Sequence, residues 1–170
     1  MQTQELKIPE DRVAILVGEG GKIKRKIEKR GEVVLNISRD GVVEISGESL
    51  AVYITISVVK AIGRGFNPDL ALQLYNEKYA FESVDVTDFT GKSQKKMLRM
   101  KGRIIGQEGK SRKFLELRTN TNISVYGKTV AIIGELESVM VAKQAVEMLL
   151  EGSPHSSIFK WLEKKMRDLR

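Results

Sequence analysis

Arg103-Ile-Ile-Gly-Gln-Glu-Gly-Lys110, continued by Ser111-Arg-Lys-Phe-Leu-Glu116, is the stretch on which the fold turns. Two glycines with two residues between them separate one basic, apolar run from another. A turn of this kind between two helices leaves backbone N–H groups unpaired at the start of the second helix. Those donors and the positive end of the helix dipole attract phosphate oxygens. Glycine suits such a turn because it permits positive φ and lets another backbone approach closely.

The stretch has an echo. Gly18-Glu19-Gly20-Gly21-Lys22 precedes Gly106-Gln107-Glu108-Gly109-Lys110 by 88 residues. Asn36-Ile37-Ser38 returns as Asn122-Ile123-Ser124 after 86 residues, and Gly47-Glu48 as Gly134-Glu135 after 87. Three echoes in one order, with offsets drifting by a residue or two, describe two copies of one unit that differ by small loop insertions. The copies are expected at 1–66 and 80–152, with a helical connector over 67–79 and a C-terminal helix within 153–170.

Each copy reads as strand, helix, glycine turn, helix, strand, strand, helix. In the second, Phe81–Val86 is a strand candidate, Ser93–Ile105 a helix, and Ser111–Arg118 a short amphipathic helix. Asn122–Tyr126 and Thr129–Ile133 are β-prone around Gly127-Lys128, a hairpin signal. Ser138–Leu150 is helical, stopped by Gly152 and Pro154. In the first, a strand at Glu5–Ile8 leads into a helix opened near Pro9 and running to Leu16. A basic helix, Lys22–Arg30, precedes strands Val33–Ser38 and Val42–Ser46. Leu50–Ile62 has strand propensity in its Val-Tyr-Ile-Thr-Ile run, yet its counterpart makes it a helix. In the connector, Pro68–Tyr75 reads as a short helix and suggests a fixed arrangement of the copies.

Composition excludes much else. Among 170 residues there is no Cys and one histidine, His155, which removes thiolate metal sites, disulfides and cysteine nucleophiles. His155 reads as a turn or capping residue. A P-loop would need glycine at 104, which is Ile, and a dinucleotide fingerprint from Gly18 would need glycine at 23, also Ile. Asp85 and Asp88 are too few for two-metal nuclease chemistry. No signal peptide or membrane span is read, so a cytoplasmic monomer without cofactor, metal or catalytic residue is expected. The net charge of +7 is unevenly placed. Residues 22–30 hold six Lys and Arg against one Glu, and 92–118 hold ten against two, so the remainder carries −6. Positive charge gathers at the helices flanking the glycine turns, where a polyanion would lie.

The element order is that of a type I KH domain, whose GXXG loop clamps about four single-stranded nucleotides. The fold class expected is α+β: two tandem KH domains, each a three-stranded antiparallel sheet packed on helices. In the first copy Lys24 stands where KH modules carry an apolar residue. The resemblance narrows further on Gly109-Lys-Ser-Arg-Lys-Phe-Leu-Glu116, Ile123-Ser-Val-Tyr-Gly-Lys-Thr-Val-Ala-Ile-Ile-Gly134, Ala145–Leu150 and Pro154-His155. These runs resemble the archaeal Dim-two (partner of Nob-one) family over essentially the whole chain. The resemblance implies a small-ribosomal-subunit assembly factor that binds precursor rRNA near its 3′ end. It also implies cooperation with the endonuclease that trims that end and a link to the alpha subunit of translation initiation factor two.

The expected RNA contacts follow from the motif. In the second copy they are Gly106, Gln107, Glu108 and Gly109, with Lys110, Ser111, Arg112 and Lys113 on the first turn after the loop. Ile105 and Ile123 are assigned to the apolar groove floor. In the first copy they are Gly18, Glu19, Gly20 and Gly21, with Lys22 and Arg25. Glu19 and Glu108 would repel phosphate unless they face solvent. The rival reading is a protein–protein scaffold in which the first copy does not bind RNA. The tail Ser157–Leu169 places Ile158, Phe159, Trp161 and Leu162 near one face and is expected to dock on a KH domain.

Overall fold

The computed structural model describes residues 1–170, which separate into two compact units, Met1–Tyr79 and Ala80–Arg170. In the first, strand β1 (Gln2–Lys7) leads through a 3-10 turn (Glu10–Arg12) into α1 (Val13–Val17), followed by the glycine turn and α2 (Lys22–Gly31). Strands β2 (Val34–Ile37) and β3 (Val42–Gly47) precede α3 (Ser49–Gly63), α4 (Pro68–Leu72) and a 3-10 turn, Gln73–Tyr75. The second unit continues with β4 (Tyr79–Asp85), a short α5 (Thr87–Thr90), α6 (Gln94–Ile105) and α7 (Lys110–Thr119). It closes with β5 (Asn122–Tyr126), β6 (Thr129–Glu135), α8 (Leu136–Leu150) and α9 (His155–Asp168).

The sheets share one topology, β1-β3-β2 and β4-β6-β5, each with the last strand of the repeat at its centre. In the first, Gln2 to Lys7 run antiparallel to Gly47 to Val42, and Val34 to Ile37 to Ser46 to Val43. In the second, Asn122 to Tyr126 oppose Ile133 to Thr129. β1 thus begins at Gln2, ahead of the expected Glu5. Its first residues are polar, and backbone pairing rather than apolar patterning recruits them. The helix expected from Pro9 to Leu16 resolves into the 3-10 turn and a five-residue α1. Its counterpart α6 has twelve residues.

α3 is helical despite its β-branched run, because Val52, Thr55, Val58, Val59 and Ile62 fall on one buried side. Burial on a 3.6-residue period outweighs intrinsic propensities that differ by only a few tenths of a kcal/mol per residue. The core of the second unit gathers Ile104, Leu115, Ile123, Val130, Ile132, Val146 and Leu149 between sheet and helices.

Both units extend beyond the repeated elements. The segment read as a connector folds onto the first unit, where Ala71 and Leu74 are buried. Tyr75 Oη lies 2.9 Å from Thr55 Oγ1 and donates to Ile27 O at 3.5 Å, tying it to α3 and α2. Burial raises the Tyr75 phenol above its ordinary pKa. In the second unit, α9 buries Ile158 and Leu162 in the core and sets Phe159 against Phe114 of α7, ring centroids 4.1 Å apart. His155 opens this helix, and its Nε2 donates to Arg103 O at 2.9 Å. α5 was not expected; Asp85 makes its entry by accepting from Thr87 N at 2.9 Å and Thr87 Oγ1 at 2.6 Å. No helix is long and apolar enough to cross a membrane.

Candidate nucleic-acid interface

The two glycine loops have one conformation. Gly106 (φ 73, ψ 175) ends α6, and Gly18 (φ 76, ψ 169) ends α1. Glu108 (φ 56, ψ 25) and Gly20 (φ 61, ψ 21) are left-handed, as are Gly109 and Gly21 before α7 and α2. A Cβ on Gly106 would stand 2.6 Å from Ser111 Cβ, and one on Gly18 would stand 2.5 Å from Ile23 Cγ1. The first glycine of each pair is therefore demanded by the close approach of the following helix. A Cβ on Gly20 would meet nothing within 4 Å, so the loop tip is open on that side.

Gln107, Glu108, Lys110 and Lys113 are exposed, and so are Glu19, Gly20, Lys22 and Arg25. Both acids of the loops thus stand at the surface. Ser111 is 8% exposed and its Oγ has no hydrogen-bond partner within the protein. Of the ten cations in 92–118, only Arg112 and Arg118 are ion-paired. None of the six in 22–30 is. Unpaired, exposed ammonium and guanidinium groups gathered by one loop are what a phosphate backbone neutralises.

Two assigned residues fall elsewhere. Ile123 is 3% exposed and belongs to the core, its side chain turned inward by the β5 pleat, while Ile105 is 36% exposed beside the loop. Of the two residues assigned to a groove floor, Ile105 reaches the surface and Ile123 does not. Arg25 Nη1 donates to Gly20 O at 2.7 Å, so this guanidinium braces its own loop.

The structure adds groups that the sequence reading missed. Glu116 Oε2 accepts from Ile123 N at 2.8 Å, and Glu28 Oε2 accepts from Leu35 N at 3.0 Å. Each glutamate stands seven residues after the second glycine, a repeat visible in the sequence. Each pins the helix after the loop to an N–H of the edge strand. Arg112 Nη1 completes the second clamp, 3.1 Å from Glu116 Oε1 and 3.4 Å from Ile123 O. A second pair of braces holds the helix before the loop. Arg12 Nε donates to Ile62 O at 2.8 Å and Nη2 to Phe66 O at 2.9 Å. Arg103 does the same to Leu149 O, at 3.2 Å, and Ser153 O. These arginines precede their glycines by six and three residues, one helical turn apart, so aligning the copies does not reveal them.

Antiparallel β-α-α-β-β-α units with a GXXG loop between the two helices define a KH-type α+β protein. Residues 80–167 match the family model for the second KH domain of PNO1, described as a eukaryotic type KH-domain (KH-domain type I). The KH domain-containing protein MJ0443 of Methanocaldococcus jannaschii is 48% identical over 170 residues, covering 97% of this chain and 74% of that one. The pre-rRNA-processing protein PNO1 of Candida albicans is 32% identical over 105 residues, 59% of this chain. That alignment spans 37% of the fungal protein's own length. A chain in the crystal structure of the a/eIF2alpha–aDim2p–rRNA complex from Pyrococcus horikoshii superposes with a TM-score of 0.89 at 40% identity. The superposition covers 98% of this chain and 95% of that one. The chain belongs to the Dim2/PNO1 family of KH-domain proteins.

Proposed function

We propose that this chain binds single-stranded RNA and acts as an assembly and processing factor of the small ribosomal subunit, near the 3′ end of its precursor rRNA. In this reading both units are type I KH domains, over 1–66 and 80–152, and the second holds the RNA. The observation that carries it is the second loop: an open turn ending in Lys110, with Lys113 one turn on, inside a segment of net charge +8 whose cations are almost all unpaired. Backbone donors of the loop and the first turn of α7 clamp phosphates, and bases lie over Ile105 towards β5. Because Glu116 and Arg112 occupy the Ile123 backbone, a base meets their side chains first. The relatives support the rRNA assignment, one being a pre-rRNA-processing protein and one solved with rRNA and an initiation factor subunit. The proposed protein partners are the alpha subunit of initiation factor two and the endonuclease that trims the rRNA.

A second reading applies to the first unit alone, as a docking module that does not hold RNA. Arg25 is folded back on its loop, and Val34, Leu50 and Tyr53 are 60%, 70% and 73% exposed, apolar surface that RNA does not need.

Replacing Gln107 and Glu108 together by Asp tests both. The added carboxylate should weaken binding to single-stranded rRNA 3′-end fragments about tenfold or more and flatten the salt dependence. The matching change at Glu19 and Gly20 should cost less. Unchanged affinity and salt slope in the second-unit variant would refute the clamp.

A further inference from the structure

At the end of α7 far from the glycine loop, a cavity of about 220 Å³ opens between α7 and α9. Three arginines line it: Arg118 from the last turn of α7, Arg167 from the last turn of α9, and Arg170 two residues past the end of α9. One carboxylate accompanies them, Glu163, 3.7 Å from Arg118, with both side chains about half exposed. Basic residues in a helix's last turn are ordinarily explained by the negative end of the dipole. That accounts for Arg118 and Arg167 singly, but not for three arginines lining one cavity whose only acidic lining side chain is Glu163. Arg118 is also held in place, its guanidinium 5.1 Å above the Phe114 ring that packs on α9. An oriented guanidinium presents paired donors that match a phosphate bidentately.

We infer that this cavity is a second phosphate site, outside the KH groove, that grips the backbone of the RNA held at the Gly106–Gly109 loop. The inference rests on the RNA-binding reading above. Lys110 and Arg118 are eight residues apart, about 12 Å along α7 at the rise of an α-helix. A strand whose roughly four clamped nucleotides fill the groove must run on past them to reach this site. α9 then has a role beyond covering the core: it and the residues that follow it supply two of the three arginines.

The test compares RNA length with charge. Arg167→Ala with Arg170→Ala changes two exposed side chains that make no ion pair, and Arg118→Gln is the second variant. Binding of a four-nucleotide and a sixteen-nucleotide single-stranded rRNA fragment is measured across salt concentrations, with thermal melting as a folding check. The wild-type chain should gain affinity with length, and both variants should lose about tenfold for the long fragment and nothing for the short one. Their salt slope should be shallower by about 0.7 for each phosphate released. Equal binding of the long fragment by wild type and both variants overturns the site, as does an equal loss on both lengths. A wild-type chain that binds neither length overturns the RNA reading itself and this site with it.

Discussion

The two loops reach the same backbone path with different residues, and the difference separates what the fold requires from what the ligand would. Gly18 and Gly106 are interchangeable in conformation and in the crowding that demands them. Glu28 and Glu116 make the same bond to the edge strand, and Glu32 and Asn120 end the two helices in the same left-handed turn. All of these are structural, and all are duplicated. At the tip the copies diverge: Gly20 stands where Glu108 stands, and Arg25 braces its loop while Lys113 is free. The scaffold of the loop is held constant, and its surface varies.

The largest effect should come from attacking the constant part. Gly106→Ala places a Cβ 2.6 Å from Ser111 Cβ and 2.8 Å from its backbone nitrogen, at a φ that only glycine adopts readily. Left-handed strain and a backbone clash together should cost about 3 kcal/mol. Gly18→Ala, with the same φ and a 2.8 Å approach to Ile23 N, should cost the first unit as much. Hydrogen exchange, which follows each unit separately, checks both. A tolerated substitution in either copy would break the equivalence of the loops.

Next come the glutamate clamps. Glu116→Ala leaves Ile123 N–H without its side-chain partner and frees Arg112 from its ion pair. The expected loss is about 1–2 kcal/mol in urea unfolding, with faster exchange at Ile123. Glu28→Ala should cost less, because its carboxylate has no arginine bridging it to the strand. Equal costs would show that Arg112 contributes nothing to the second clamp.

The repeat and its glycine turns were legible because local constraints write them: left-handed positions take glycine, and helical burial recurs every three or four residues. Even α3, strand-like in propensity, was recovered by comparison with its copy. What escaped depends on partners distant in sequence. Gln2–Gln4 are strand only because Gly47–Ile45 lie beside them. Ile105 and Ile123 look alike as apolar neighbours of the loop, and only the pleat of β5 against Ile132 sends one inward. Asp85, set aside from the sequence as too few acids for nuclease chemistry, has its role in the bonds to Thr87 that open α5, which no sequence pattern announces. The arginine braces were hidden because they make the same bonds from positions that do not align, Arg12 before α1 and Arg103 within α6.

The smallest effect, and the one that isolates the divergent tip, is an exchange of its residues. Glu108 is a side-chain-bearing residue at φ 56, a conformation that costs an L-residue about 1–2 kcal/mol. Glu108→Gly relieves that strain but gives the unfolded chain more freedom, which returns about 0.4–1 kcal/mol. The second unit should gain about 0.5 kcal/mol, and Gly20→Glu should cost the first a similar amount, both read by hydrogen exchange. Binding should move with the charge. Without the Glu108 carboxylate, the second loop should hold single-stranded RNA about threefold more tightly at low salt, converging with wild type as screening rises. If Glu108→Gly stabilises its unit yet weakens binding, the glutamate contacts the RNA directly as an acceptor from a base or a ribose hydroxyl. The divergence at the tip would then be a difference in what the two loops read rather than in how strongly they hold.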